Sequence, residues 1–266
     1  MSERLDVFLT HCGLCDSRQK AQVIIKNAQV SVNGTVVLKN SFLVDEKDDI
    51  KIIGEFCEFV GRGGLKLKKA LEVFPIEVKD KICIDIGAST GGFTDCLLQN
   101  GAQFVYALDV GHGQLDLKLL KDSRVKNMEG TNIRDVSFEE FEKQPTLAVC
   151  DVSFISLKLV LPHIKRLLSK NSQAVVLIKP QFEAGKEYVK KGGIVKDKKA
   201  HVSVINSIIA CALENGFSVN SLDFSPIKGK EGNVEYLLFL TLKEYPENFV
   251  KDIKTVVETA FLEHNT

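Results

Sequence analysis

At 266 residues, 44% hydrophobic and 26% charged, the chain has room for one large domain and one small one, and its composition excludes fibrous, low-complexity and disordered classes. Thirty-five basic residues balance 35 acidic ones, so no overall charge draws the chain to a polyanion, and phosphate binding would need a basic face. No apolar run approaches the roughly 18 residues that span a bilayer, and Met1-Ser2-Glu3-Arg4 lacks a signal core, so a cytoplasmic protein with no membrane segment is expected. In chain order, Leu5, Phe8 and Leu9 have helical spacing, and Asp16 or Ser17 can cap a second helix carrying Ala21, Ile24 and Ile25. Cys12 and Cys15 form a C-x-x-C, but no second pair or histidine cluster completes it, so no metal is expected. The seven cysteines are scattered and odd in number, as suits a reducing compartment. Val30-Ser31-Val32-Asn33-Gly34-Thr35-Val36 then alternates around Asn-Gly, a strong hairpin signal.

This helix–helix–hairpin order resembles the RNA-binding domain shared by ribosomal protein S4 and many pseudouridine synthases. The matching residues are Arg4-Leu5-Asp6, Ser17-Arg18, Ala21, Ile25 and Val30-x-Val32-Asn33-Gly34, with Asn27 where a glycine is common. Arg18 and Lys20 beside a helix N-terminus suit a phosphate; a small protein–protein module is the other reading. Charge segregates along the chain: Arg4, Arg18, Lys20, Lys26 and Lys39 first, then Arg62, Lys66, Lys68 and Lys69. A third group comprises Lys186, Lys190, Lys191, Lys196, Lys198 and Lys199, and each group taken singly also reads as a solvated surface.

A short link, Cys57-Glu58-Phe59-Val60, leads to Gly61-Arg62-Gly63-Gly64, a hinge or a backbone that passes close to something. Leu65, Leu67, Ala70, Leu71 and Phe74 then carry a helix into the large domain. From residue 80 to about residue 243 strands and helices alternate, which implies an α/β fold, a doubly wound and mostly parallel sheet with helices on both faces. The last strands are expected at Phe217–Phe224 and Glu235–Leu242, and residues 246–266 read as an amphipathic helix.

Within this domain Ile82-Cys83-Ile84-Asp85-Ile86 reads as a buried strand running into Gly87-Ala88-Ser89-Thr90-Gly91-Gly92-Phe93-Thr94, with Thr90 or Thr94 as helix cap. The spacing is neither the dinucleotide fingerprint nor a P-loop. About two dozen residues on, Val105-Tyr106-Ala107-Leu108-Asp109 ends in an acid able to accept bonds from both ribose hydroxyls of an adenosine. Without a diphosphate cradle, S-adenosylmethionine fits better than NAD, and an ordinary βαβ crossover without ligand is the plain alternative.

Three further apolar strands end in polar residues: Leu147–Cys150 into Asp151, Ala174–Ile178 into Lys179, and Glu235 entering the final strand. A lysine after five apolar residues is costly unless paired, and Asp151 and Glu235 are candidate partners, with Lys66 a second cation. Such a group suits methyl transfer to a ribose hydroxyl, because a lysine whose pKa is lowered by burial and a second cation can take the proton of a poor nucleophile. A structural ion-pair network explains the same residues equally well.

Arg62-Gly63-Gly64-Leu65-Lys66-Leu67, Asp85 to Thr94, Asp109-Val110-Gly111-His112-Gly113-Gln114-Leu115, Asp151 to Ser156, Lys179 to Glu183 and Gly232-Asn233-Val234-Glu235-Tyr236 together resemble the TlyA family, over nearly the whole chain. Its members carry two labels, hemolysin and ribosomal RNA 2′-O-methyltransferase. Gly61 replaces the serine usual before the Arg-Gly pair. The resemblance implies an S4-like domain over residues 1–56, a linker over 57–62 and an FtsJ-like, Rossmann-type methyltransferase domain over 63–266. It implies a tetrad of Lys66, Asp151, Lys179 and Glu235 with Lys179 as base, and S-adenosylmethionine against Gly87, Ala88, Ser89, Gly91, Phe93 and Asp109, with Asp85 and Asp151 also at the cofactor. Arg4, Arg18, Lys20 and Arg62 are the expected RNA contacts. The expected substrates are cytidines of 16S and 23S rRNA in ribosomal subunits, one or both, and the protein is expected to be a monomer or weak homodimer. A membrane-active hemolysin and a non-catalytic ribosome assembly factor are the competing readings.

Overall fold

The computed structural model describes residues 2–15, 17–26, 28–53, 58–242 and 252–264, and the chain divides into two units, Met1–Phe56 and Cys57–Thr266. The cap candidate Asp16, the departure Asn27, Cys57 of the link and residues 246–251 of the expected last helix lie outside the described residues.

In the first unit a short strand β1 (Glu3–Arg4) runs into α1 (Leu5–His11), and α2 (Arg18–Lys26) packs against it. The Ser17 hydroxyl accepts the N–H of Lys20 at the start of α2. Strands β2 (Val30–Val32) and β3 (Thr35–Val36) form the hairpin, β4 (Leu43–Val44) pairs with β1, and β5 (Ile50–Ile52) completes a sheet of order β3-β2-β5. Asn33 (φ 53°) and Gly34 (φ 78°) both adopt the left-handed backbone that a two-residue hairpin turn requires. Leu5, Leu9, Ala21, Ile25 and Val30 are fully buried, so the helix-spaced apolar positions supply the core.

The second unit begins with α3 (Gly63–Val73), followed by β6 (Ile82–Ile86), α4 (Gly92–Gln99), β7 (Phe104–Asp109), the short α5 (Leu117–Leu120), β8 (Val125–Glu129) and β9 (Leu147–Cys150). Then come α6 (Leu157–Leu167), β10 (Gln173–Ile178), α7 (Pro180–Glu183), a small hairpin of β11 (Val189–Lys190) and β12 (Ile194–Val195), α8 (Lys198–Glu214), β13 (Ser218–Phe224), β14 (Tyr236–Thr241) and α9 (Ile253–Glu263). Seven strands form one sheet of order β13-β14-β10-β9-β6-β7-β8. The run from β10 to β8 is parallel, and β14 lies antiparallel to both its neighbours. This is the doubly wound, mostly parallel sheet the alternation implies.

Side-chain alternation along the strands splits the core into two layers. Ile84, Ile86, Cys150, Val176, Ile178 and Leu238 meet α6, α8 and α9 on one face. Cys83, Val149, Val175, Leu177 and Phe239 meet α3 and α4 on the other. Burial on both faces explains why these strands read as unbroken apolar runs.

The glycine-rich residues Gly61 to Gly64 run into α3, whose first two residues are Gly63 and Gly64. They permit close approach: a Cβ on Gly92 would lie 2.9 Å from Gly64 N, and one on Gly64 would lie 2.3 Å from the ring of Phe59. The start of α3 therefore rests directly on the start of α4, with Phe59 buried beside them and Val60 N–H donating to Asp95 Oδ2 (3.0 Å).

Candidate active site

Sheet topology brings the site together. The carboxyl ends of three adjacent parallel strands, β10, β9 and β6, release Lys179, Asp151 and Gly87 at one edge, where the strand order reverses and ligands bind in such sheets. Antiparallel pairing of Ile178 with Tyr236 sets the residue after the first against the residue before the second, so Glu235 joins Lys179 from the opposite chain direction. Lys66 enters from α3.

The four side chains interlock. Lys66 Nζ donates to Glu235 Oε2 (2.7 Å) and Asp151 Oδ2 (3.3 Å), and Lys179 Nζ lies 2.5 Å from Asp151 Oδ1. Lys179 also donates to Ser153 Oγ (2.9 Å), and Gln181 Nε2 donates to Glu235 Oε1 (3.3 Å). Lys66, Lys179 and Glu235 are all buried. Burial alone would lower the pKa of Lys66, but the charges of Asp151 and Glu235 outweigh it, so Lys66 is held above the ordinary lysine value and stays protonated. Burial raises the Asp151 pKa, while Lys66 and Lys179 lower it further, so the net shift is downward. The result is a fixed ammonium locked between two carboxylates, with the Lys179 amine beside it.

These residues line a cleft of about 390 Å³, within the usual range of small-molecule sites, together with Gly87, Ala88, Ser89, Phe93 and Arg62. Asp85, Gly91 and Asp109 stand outside that lining and support it. Gly87 (φ 84°) and Gly91 (φ 93°) hold left-handed backbone, and a Cβ on Gly87 would meet Asp151 O at 2.5 Å. Gly91 is itself the N-cap of α4, so neither Thr90 nor Thr94 caps that helix. Thr94 instead lies inside it and donates to Asp85 Oδ2 (2.7 Å). Asp109 accepts Ser89 N–H on Oδ2 (2.8 Å) and Gly111 N–H on Oδ1 (2.7 Å), each oxygen keeping a lone pair for a further donor.

Asp85 is fully buried, and its Oδ1 has no hydrogen-bond partner. Burial is the main cause that raises its pKa, to about 7; the Thr94 bond opposes this and the Asp151 charge adds to it. The folded protein keeps this proton up to about pH 7, whereas the unfolded chain releases it near 3.8. Folding therefore takes up a proton across that interval, and stability falls as pH rises through it. Asp85→Asn is expected to stabilise the ligand-free protein by about 1–2 kcal/mol at pH 8, with the gain fading towards pH 4. Thermal melts of both proteins at pH 4.5 and pH 8 check this, and an equal difference at the two pH values would refute it.

Sequence reasoning missed several residues of the site. Phe154 is 90% exposed, has positive φ (64°), and its ring lies 5.1 Å from that of Phe182, both at the cleft. A phenylalanine after a strand reads as core, so no pattern singles it out; only its exposure and strained backbone do. Glu129, at the end of β8, accepts Gln114 N–H (2.6 Å) and Leu115 N–H (3.0 Å) and so folds the loop after Asp109. The rule that acids at strand ends matter would have found it.

The expected RNA contacts fall in both units. Arg62 belongs to the second and lines the cleft. Arg4, Arg18 and Lys20 belong to the first. Arg4 and Arg18 both bind the fully buried Asp6 (2.9 and 3.0 Å), and these bonds hold its carboxyl well below the usual range. Their guanidinium groups are thus oriented at the surface by one acid. Among the described residues no cluster of histidine, cysteine or acidic groups is arranged to hold a metal, and no helix is long and apolar enough to cross a membrane.

The FtsJ-like methyltransferase model matches residues 59–242 and the S4 domain model residues 3–50. This chain belongs to the FtsJ-like methyltransferase family. Within it, the chain is 38% identical to the 16S/23S rRNA (cytidine-2′-O)-methyltransferase TlyA of Mycobacterium tuberculosis, over 98% of this chain and 97% of that protein. It is 46% identical to hemolysin A of Brachyspira hyodysenteriae, over 88% and 98% of the two chains. A solved structure from Streptococcus thermophilus, described with the word hemolysin, superposes with a TM-score of 0.78 at 45% identity, covering 99% of this chain and 97% of that one. The chain is therefore a TlyA-type member of the FtsJ-like family, with the family's S4 domain at its N-terminal end.

Proposed function

We propose that the protein transfers a methyl group from S-adenosylmethionine to the ribose 2′-hydroxyl of a cytidine in 16S rRNA, 23S rRNA or both. The observation that carries this reading is the buried Lys66–Asp151–Lys179–Glu235 group in the same cleft as the glycine loop. The residues fit the cofactor: Asp109 offers a carboxylate with free lone pairs at a strand end, and Gly87, Ala88, Ser89 and Phe93 of the glycine loop line the cleft. S-adenosylmethionine supplies an electrophilic methyl group. The protein supplies orientation and a proton acceptor. Lys179 Nζ accepts the 2′-hydroxyl proton as the ribose oxygen attacks, while Asp151 and Ser153 fix its position. Lys66 remains charged and fixes Asp151 and Glu235 in place. Residues 1–56 act as the RNA-binding module, joined through residues 57–62 to the methyltransferase domain from residue 63. The enzyme works in the cytoplasm on ribosomal subunits as a monomer or weak homodimer, without a metal.

Methyl transfer from labelled S-adenosylmethionine to 30S and 50S subunits purified from a strain lacking the enzyme tests the reading. Label at a cytidine whose 3′ linkage resists alkali is expected. Label on a base, or none on either subunit with cofactor binding intact, would overturn it.

Phe154 belongs to this reading as a platform on which the target base stacks, with Phe182 behind it. Base–aromatic stacking is worth about 1–3 kcal/mol, so Phe154→Gly is expected to lower kcat/KM by roughly 10–100-fold. The same change relieves the positive φ and is expected to leave thermal stability unchanged or slightly raised. Loss of both activity and stability would mark Phe154 as structural.

A further inference from the structure

The third lysine group of the sequence has no role in the chemistry above. It occupies β11, β12 and their flanks. Lys186, Lys190, Lys191, Lys196, Lys198 and Lys199 are all exposed, against only Glu187 and Asp197 in the same segment, in a chain whose net charge is zero. Among the described residues no salt bridge engages any of the six. Gathered like charges repel, and a polyanion relieves that repulsion by releasing its counterions.

The hairpin is fastened to the segment that carries Glu235 at Val195 and its two preceding residues. The Val195 N–H donates to Asn233 Oδ1 (3.0 Å), and the same buried asparagine donates to Gly193 O (2.8 Å). The Val195 carbonyl meets His201 Nε2 (2.9 Å), whose Nδ1 meets the Tyr236 hydroxyl (2.7 Å). Burial lowers the pKa of His201, and the neutral ring must donate to the carbonyl from Nε2 and accept from the phenol at Nδ1. Asn233 and Tyr236 bracket Glu235, so the bonds of Val195, one direct to Asn233 and one through His201 to Tyr236, end within two residues of a tetrad member. Ile194 also packs against Gly232, at the end of the loop whose Lys228 and Lys230 line the cleft. Positive charge thus continues from the hairpin to the mouth of the site.

We propose that the β11–β12 hairpin is the catalytic unit's own contact for RNA backbone phosphates, and that Val195 couples its docking to the placement of Glu235. This rests on the RNA methyltransferase reading. The first test measures fluorescence anisotropy of a labelled RNA stem-loop with the full-length protein and the triple variant Lys190→Gln, Lys191→Gln, Lys196→Gln. A roughly tenfold weaker Kd and a salt slope smaller by about 2–3 are expected. An unchanged Kd and slope, or binding to anionic phosphatidylserine vesicles but not to RNA, would overturn the contact. The second test uses Tyr236→Phe, which keeps the ring and every lysine. The expected result is a several-fold lower kcat for methyl transfer at unchanged subunit KM and RNA Kd, and an unchanged kcat would overturn the coupling. If wild-type protein methylates neither subunit, the function proposed above fails, while the anisotropy of the lysine variant still decides the hairpin.

Discussion

Lys179→Ala is expected to reduce methyl transfer to ribosomal subunits by roughly 10²–10⁴-fold, the usual worth of a positioned general base, while S-adenosylmethionine binds within about twofold of wild type. Removing the amine also frees Asp151 Oδ1, which lies 2.5 Å from it, so some loss of rate from disorder must be separated from loss of the base. Lys179→Arg makes that separation. A guanidinium preserves the positive partner of Asp151 but does not give up a proton in a protein. Arginine at this position is expected to restore thermal stability and leave the enzyme inactive. Turnover within tenfold of wild type in either variant would remove Lys179 from the chemistry.

Lys66→Ala is expected to cost about 3–5 kcal/mol, because it leaves Glu235, 2% exposed, and Asp151 buried without their shared cation. For a domain of this size that corresponds to a Tm lower by roughly 10 °C. The pH dependence has a definite sign. The Lys66 pKa is raised above 10.5 in the folded state, so its contribution is complete below that value and is lost only as pH rises beyond it. The Asp151 pKa is depressed below 3.8, so its contribution is complete above that value and is lost as pH falls through the folded pKa. The wild-type cluster is therefore intact across the neutral range. In the variant the unpaired carboxylates are relieved by taking up protons, so the loss of Tm is expected to be larger at pH 8 than at pH 5. Equal losses at both would mean that lost packing of the lysine stem, rather than unpaired charge, sets the effect.

Much of this was legible in the sequence because it obeys local rules. Asn33-Gly34 announces its turn, and the apolar runs ending in Asp85, Asp109, Asp151 and Lys179 announce strands whose carboxyl ends carry chemistry. The pairing of Lys179 with Asp151 was inferable from the cost of a buried ammonium. What failed depended on neighbours distant in the chain. Thr94 looks like a cap, yet a buried Asp85 on the preceding strand claims its hydroxyl and Gly91 takes the cap position. Gly61 to Gly64 read as a hinge or a close approach, but the neighbours that approach, the ring of Phe59 and the start of α4, are visible only in the fold. Phe154 falls inside the motif Asp151 to Ser156, but nothing in the motif tells that its ring is exposed, since exposure is a property of the folded loop.

The antiparallel insertion of β14 means that the four charged side chains of the cleft come together late in synthesis. The glycine loop and Asp109 are present once less than half of the 266 residues have been made. The fourth polar residue arrives only with Glu235, at the start of the second-last regular element. A nascent or prematurely terminated chain that ends before it carries the cofactor loop, Lys66, Asp151 and Lys179, but lacks the acid that Lys66 approaches most closely. If the four residues act as proposed, a fragment with the cofactor loop but without Glu235 lacks the assembled centre.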